Sequence, residues 1–166
     1  MKQLILVRHA KSDWGNPGLD DFERPLNERG KRDAPIMAQR LLGNKISIDA
    51  IIASPAKRAA KTAKIFAEAF EYKKDDIVFK EKLYLAEPAT FFSVIENADD
   101  TFNTIAIFSH NYGITDFANQ LTETRIDNIP TCGVFAIKIY SDTWKGFRDV
   151  KKEFWFFDYP KAGGQD

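Results

Sequence analysis

Leu4-Ile5-Leu6-Val7-Arg8-His9-Ala10 opens the chain with four consecutive apolar residues that give way at once to an arginine and a histidine. A short unbroken apolar run of this kind suits a strand buried on both faces. Ile51-Ile52-Ala53 and the run from Thr104 to Phe108 repeat the pattern, and each is followed by turn-favouring residues and then by a helical stretch. Strands and helices therefore alternate, which predicts an α/β domain with a largely parallel sheet. The first helix is expected between Asn27 and Leu42, capped by Asn27 and closed by Gly43, with Pro35 forcing either a start near Asp33 or a bend. The second is expected to be capped by Ser54, with Pro55 at its first position and an alanine-rich body from Ala56 to Phe70. Further helices are expected over Thr90 to Asn97 and just after Asn111, and late strands at Val134 to Tyr140 and Glu153 to Phe157.

A length of 166 residues suits a single domain with one core, expected over residues 1–160, with a flexible tail at 161–166. Lys plus Arg and Asp plus Glu number 24 each, so no overall basic field exists to hold nucleic acid or an anionic membrane. The single cysteine, Cys132, has no partner for an intramolecular disulfide or a thiolate metal site, which points to a reducing compartment. The amino-terminal apolar run is too short for a signal peptide, and no stretch approaches the ~20 apolar residues of a membrane span, so a cytoplasmic location is expected.

In open α/β sheets ligands bind beyond the carboxyl ends of the strands. Three such exits carry polar chemistry: Arg8-His9-Ala10, Ser54-Pro55-Ala56-Lys57-Arg58 and Ser109-His110-Asn111. Both histidines of the chain follow a buried strand directly. Arginine offers a planar fork of donors matched to phosphate oxygens, and Arg58 also falls in the first turn of a helix. Phosphate is the occupant this chemistry suits. Phosphoryl transfer needs positioning, neutralisation of the equatorial oxygens and an in-line nucleophile. A histidine kept neutral by nearby arginines can be that nucleophile if an acceptor holds its other ring nitrogen.

These residues resemble the histidine phosphatase, or phosphoglycerate mutase-like, superfamily. Leu6-Val7-Arg8-His9-Ala10 is similar to its Arg-His-Gly signature, Ser54 to Ala63 to its Ser-Pro-x-x-Arg-Ala-x-x-Thr segment, and Ser109-His110-Asn111 to the segment of its second histidine. Arg24-Pro25-Leu26-Asn27-Glu28-Arg29-Gly30-Lys31-Arg32-Asp33-Ala34-Pro35 and the compact length look most like the SixA-type phosphohistidine phosphatase branch. The resemblance implies a three-layer α/β/α sandwich of phosphoglycerate mutase-like fold and a hydrolase working through a covalent phosphohistidine on His9. Arg8 and Arg58 would bind the phosphoryl oxygens, a protonated His110 would stabilise charge in the transition state, and Arg24 would be a further phosphate ligand. No metal or organic cofactor is implied. The substrate implied is phosphohistidine in a protein, with no nucleic acid or membrane partner.

Other readings stay open. Glu87 lies near the region where mutase relatives carry a general acid and is a candidate for that role or a surface residue. Lys11, Ser12, Asp13 and Trp14 either line the entrance or form a solvated loop, and Lys73 to Asp76 reads as a solvated turn. Phe91, Phe92 and Phe154 to Phe157 read as core or edge packing. Competing functions are a small-metabolite phosphomonoesterase, a phosphoglycerate-type mutase, disfavoured by the short segment between Tyr84 and Thr104, and a phosphate-binding module without catalysis.

Overall fold

The computed structural model describes residues 1–163. Six strands form one sheet: β1 (Lys2–Arg8), β2 (Ala50–Ala53), β3 (Val78–Phe79), β4 (Thr104–Ser109), β5 (Val134–Ile139) and β6 (Lys152–Asp158). Their order across the sheet is β3-β2-β4-β1-β5-β6. The first four run parallel, while β5 is antiparallel to both β1 and β6. Helices α1 (Glu28–Gly43), α2 (Lys57–Ala69), α3 (Pro88–Glu96) and α4 (Gly113–Ala118) complete an α/β fold of the phosphoglycerate mutase-like kind.

The side-chain alternation of a strand sends successive residues to opposite faces, and the run Leu4 to Val7 uses both. Leu4 and Leu6 pack with Phe91, Ile114, Phe117 and Trp144 on the side of α3 and α4. Ile5 and Val7 pack with Met37, Leu41, Ala63 and Phe66 on the side of α1 and α2. Both faces of the sheet are thereby covered, which makes three layers. Phe91 and Phe92 are buried, and the aromatic run of β6 divides in the same way, with Phe154 and Phe157 against the first cluster and Trp155 and Phe156 against the second.

Local expectations needed correction in three places. Asn27 caps α1, its side chain accepting a hydrogen bond from the Gly30 amide at 2.9 Å, and the helix continues through Pro35 rather than starting near Asp33. Pro35 is exposed, so the bond it removes lies on the solvent side, while Ala34, Met37, Ala38 and Leu41 stay buried. Ser54 does not cap α2, which starts at Lys57 after an extended Ala56; Pro55 lies before the helix. The Ser54 side chain is turned into the strand exits instead. The two-residue β3 gave no sequence signal, because its residues continue a charged loop and pair at only two positions. Of the expected tail, Lys161 to Gly163 lie in a 3-10 turn and residues 164–166 fall outside the described residues. Among the described residues, no helix is long and apolar enough to cross a membrane.

Candidate active site

Sheet register assembles the site. Arg8 on β1 pairs with Ser109 on β4, and Ala53 on β2 pairs with Phe108, so the three exits end side by side. The His9 amide donates to the Ser109 carbonyl at 3.1 Å, and the Ser54 amide to the Phe108 carbonyl at 2.9 Å. One residue further on, the rings of His9 and His110 face each other with centroids 5.2 Å apart.

His9 is buried, and its Nδ1 donates to the carbonyl of Ala10 at 2.7 Å. That bond fixes the tautomer and puts the ring's lone pair on Nε2. Arg58 Nε donates to this nitrogen at 3.3 Å. Burial lowers the His9 pKa to about 3, with Arg58, Arg8 and Arg24 adding to the effect and the Ala10 contact opposing it. The ring is thus neutral and nucleophilic throughout the physiological range. His110 Nε2 lies 2.8 Å from the Ser54 hydroxyl, and burial, then the proximity of His9 and Arg58, lowers its pKa to about 2. In the unliganded site His110 is therefore neutral, and the protonated form expected from sequence requires a bound anion to stabilise it.

The arginines converge from three elements. Arg58, in the first turn of α2, is buried, and its NH1 and NH2 donate to the backbone carbonyl and the carboxylate of Asp21 at 2.6 and 2.8 Å. Thr62, one turn later, accepts from the Ala10 amide at 3.0 Å and donates to the Arg58 carbonyl at 2.8 Å, tying α2 to the residue after His9. Arg24 is buried, donates to Ser12 and to Asp21 at 2.8 Å, and lies against the exposed Trp14 ring at 3.6 Å. Arg8 donates to the Ile129 carbonyl at 2.9 Å. Among the described residues, Arg8 Nε, Arg24 Nε and His110 Nδ1 are buried without a hydrogen-bond partner, an arrangement that fits an anion with several acceptor oxygens.

Sequence reading missed two members. Asp21 lies on the short turn Asp21–Glu23, and Tyr84 follows the turn Glu81–Leu83. The Tyr84 hydroxyl donates to Asp21 at 2.5 Å, and its ring meets His110 edge-on at 5.4 Å. Burial pushes the Asp21 carboxyl upward, but hydrogen bonds from Tyr84, Arg24 and Arg58 outweigh it and hold the group well below the usual carboxylate range. The Asp-x-x-Arg spacing of Asp21 and Arg24 was a usable signal, since a 3-10 turn brings i and i+3 together. Of the loop after His9, Ser12 and Trp14 join the site through Arg24, whereas Asp13 folds back to accept from the Gly15 amide at 2.7 Å. Glu87 stands apart: it is exposed at the start of α3, and among the described residues its side chain makes no hydrogen bond or ion pair.

Cys132 backs His9. Its amide donates to the carbonyls of Arg8 and His9 at 3.1 and 3.0 Å, its φ is +60°, and its buried thiol is pushed well above the usual range by burial.

A family model described as "Histidine phosphatase superfamily (branch 1)" matches residues 4–83. An uncharacterized chloroplastic protein of Arabidopsis thaliana is 28% identical over 152 residues, covering 87% of this chain and 69% of that protein. Phosphoserine phosphatase 1 of Hydrogenobacter thermophilus is 44% identical over 71 residues, which span 42% of this chain and 33% of the relative. Among solved structures, SixA from Agrobacterium tumefaciens superposes with a TM-score of 0.80 at 25% identity, covering 96% of this chain and 98% of that one. The protein histidine phosphatase SixA in complex with tungstate gives a TM-score of 0.82 at 16% identity with the same coverage, a likeness of fold.

Proposed function

We propose that this chain, a phosphatase belonging to the histidine phosphatase superfamily, removes the phosphoryl group from phosphohistidine in proteins with His9 as its covalent nucleophile. His9 Nε2 attacks phosphorus while the bond to the leaving nitrogen breaks, giving a phosphohistidine at position 9 that water then hydrolyses. Arg8, Arg24 and Arg58 hold the phosphoryl oxygens, and His110, which takes a proton from solvent once the anion's charge stabilises its imidazolium, donates to an oxygen as charge develops. The guanidinium groups supply the neutralisation that a metal ion supplies elsewhere, so the reaction is expected to run without one.

One observation favours phosphohistidine over an alkyl ester. The carboxylate in contact with the site's arginines, Asp21, is held ionised by Tyr84, Arg24 and Arg58 and cannot give up a proton to a departing alkoxide. An alkoxide needs such an acid, a contribution of about 10²–10⁴ in rate, whereas an imidazole with a pKa near 6.5 takes its proton from water. A second reading, hydrolysis of a small phosphate ester, is favoured by the 44% identity to a phosphoserine phosphatase over 71 residues. Turnover of a phosphohistidine peptide, an activated aryl phosphate and phosphoserine separates them, with chelator, His9→Ala and Glu87→Gln as controls. The first two substrates should be cleaved far faster than the third, with chelator and Glu87→Gln of little effect and His9→Ala inactive. Efficient phosphoserine hydrolysis that collapses in Glu87→Gln would establish the second reading.

A further inference from the structure

The turn Asp21–Glu23 has two sides. Asp21 faces the catalytic arginines, while Phe22 and Glu23 face a groove of about 580 Å³ between this turn and α2. The groove's floor is apolar, made by Phe22, Pro25, Leu26, Pro55 and Ala60. One wall is basic: Lys57, Lys61 and Lys64 recur at i, i+4 and i+7 on the exposed face of α2, opposite the buried face that carries Arg58 and Thr62. Among the described residues Lys57 and Lys61 take part in no ion pair, and the Lys64 ammonium lies 6.0 Å from the Phe79 ring. Lys31, on the other side, is paired with Glu28 at 3.4 Å, and Glu23 is the single acid in the lining. In a chain of zero formal net charge, this clustering is local.

From this juxtaposition we propose that the groove docks an acidic segment, carrying at least one apolar side chain, of the protein whose phosphorylated residue enters the pocket. The inference rests on the phosphoprotein reading above and specifies the partner. A free metabolite is held by the phosphoryl pocket and does not need a second surface, whereas a protein presenting one phosphorylated side chain covers the neighbouring face as well. The apolar floor answers apolar side chains, and the lysine row answers carboxylates. A nucleic acid backbone would meet Glu23 and gain nothing from that floor. The wall between groove and pocket is one turn of chain: Phe22 meets Tyr84 edge-on at 5.1 Å, and Tyr84 donates to Asp21.

The test compares two phosphohistidine peptides of equal length, one flanked by Glu and Leu, the other by Lys and Ser, with an aryl phosphate as a substrate too small to reach the groove. Wild type should favour the acidic peptide in kcat/KM by about tenfold or more, a preference that fades with salt. The combined Lys57→Glu, Lys61→Glu, Lys64→Glu variant should lose or reverse that preference and retain aryl phosphate hydrolysis. The corresponding Gln variant should lie between. An unphosphorylated Glu-Leu peptide should bind wild type and not the Glu variant, and a single-stranded oligonucleotide should not displace it. Equal turnover of both peptides by wild type and variant would overturn the groove while leaving the phosphohistidine reading intact. No turnover of either peptide, with selective binding of the acidic one retained, would overturn the reading and leave the groove. Loss of aryl phosphate hydrolysis in a folded Gln variant would place the lysines in the pocket, and displacement by the oligonucleotide would make the partner a nucleic acid; either result refutes the proposal.

Discussion

His9 and His110 are the only imidazoles in the chain, and both are neutral for the same first reason, burial at a strand exit beside arginines. Their ring protons should therefore show no titration by NMR between pH 8 and 5 in the free enzyme, and saturating vanadate should raise the His110 pKa; a midpoint near 6.5 for either in the free protein would contradict the geometry. Stability follows with a definite sign. Unfolded imidazoles bind protons below about 6.5, the folded ones only near 3 and 2, so the folded state has their full contribution above pH 6.5 and loses it as pH falls towards 3. Asp21 carries a second residue-scale expectation. Each charge-assisted hydrogen bond is worth about 1.5–3 kcal/mol, and 42% exposure of this side chain keeps the value at the lower end, so Asp21→Asn should weaken vanadate binding by about tenfold. Asp21→Glu should recover part of it, and isothermal titration of all three proteins decides the matter. Arg8, His9, Arg24, Arg58 and His110 were visible in sequence because each stands at a strand exit or in a motif. Tyr84 was not, and Asp21 was marked only by its spacing from Arg24, because the acids of Asp20-Asp21-Phe22-Glu23 gain a role only when the fold brings Tyr84 and Arg58 to them.

The elements that carry these residues were legible wherever burial enforced a pattern. β1, β2 and β4 appear as apolar runs because both faces are covered, and α1 starts where Asn27 caps it. Ser54 shows the limit: its type suits a cap, but the helix begins later and the hydroxyl serves His110. Close approaches between elements are equally silent in sequence. Gly113 opens α4, and a Cβ there would lie 1.7 Å from the Ala86 carbonyl oxygen and 2.9 Å from its carbon, both backbone atoms that cannot rotate away. Gly113→Ala must then shift α4 or the segment before α3, at a cost of about 1–3 kcal/mol. The melting temperature should fall by about 2–4 °C for each kcal/mol. Since Gly113 follows His110 by three residues, vanadate affinity should fall as well, even at temperatures where the variant is fully folded; an unchanged melting temperature would show the contact to be slack.

At the scale of the whole molecule, the parallel half of the sheet gives the protein two unlike ends. The carboxyl ends of β1, β2 and β4 gather the arginines and both histidines, while the opposite end is closed structurally by Lys2, whose ammonium donates to the carbonyls of Asp100 and Phe102 at 2.5 and 2.8 Å. Polarity of this kind follows from chain direction alone and explains why reading strand exits located most of the site. What chain direction could not reveal is how firmly the carboxyl end of β1 is held, and Cys132 bears on this. Its amide is bonded to the carbonyls on either side of the Arg8–His9 link, and its thiol is enclosed in the core beneath them. As the only sulfhydryl in the chain, it reacts with a disulfide reagent only during excursions that part it from the end of β1. The pace of that modification in unlabelled, native enzyme is then a direct clock of how often the strand that carries His9 breathes, and a bound oxyanion that locks His9 in place should slow it.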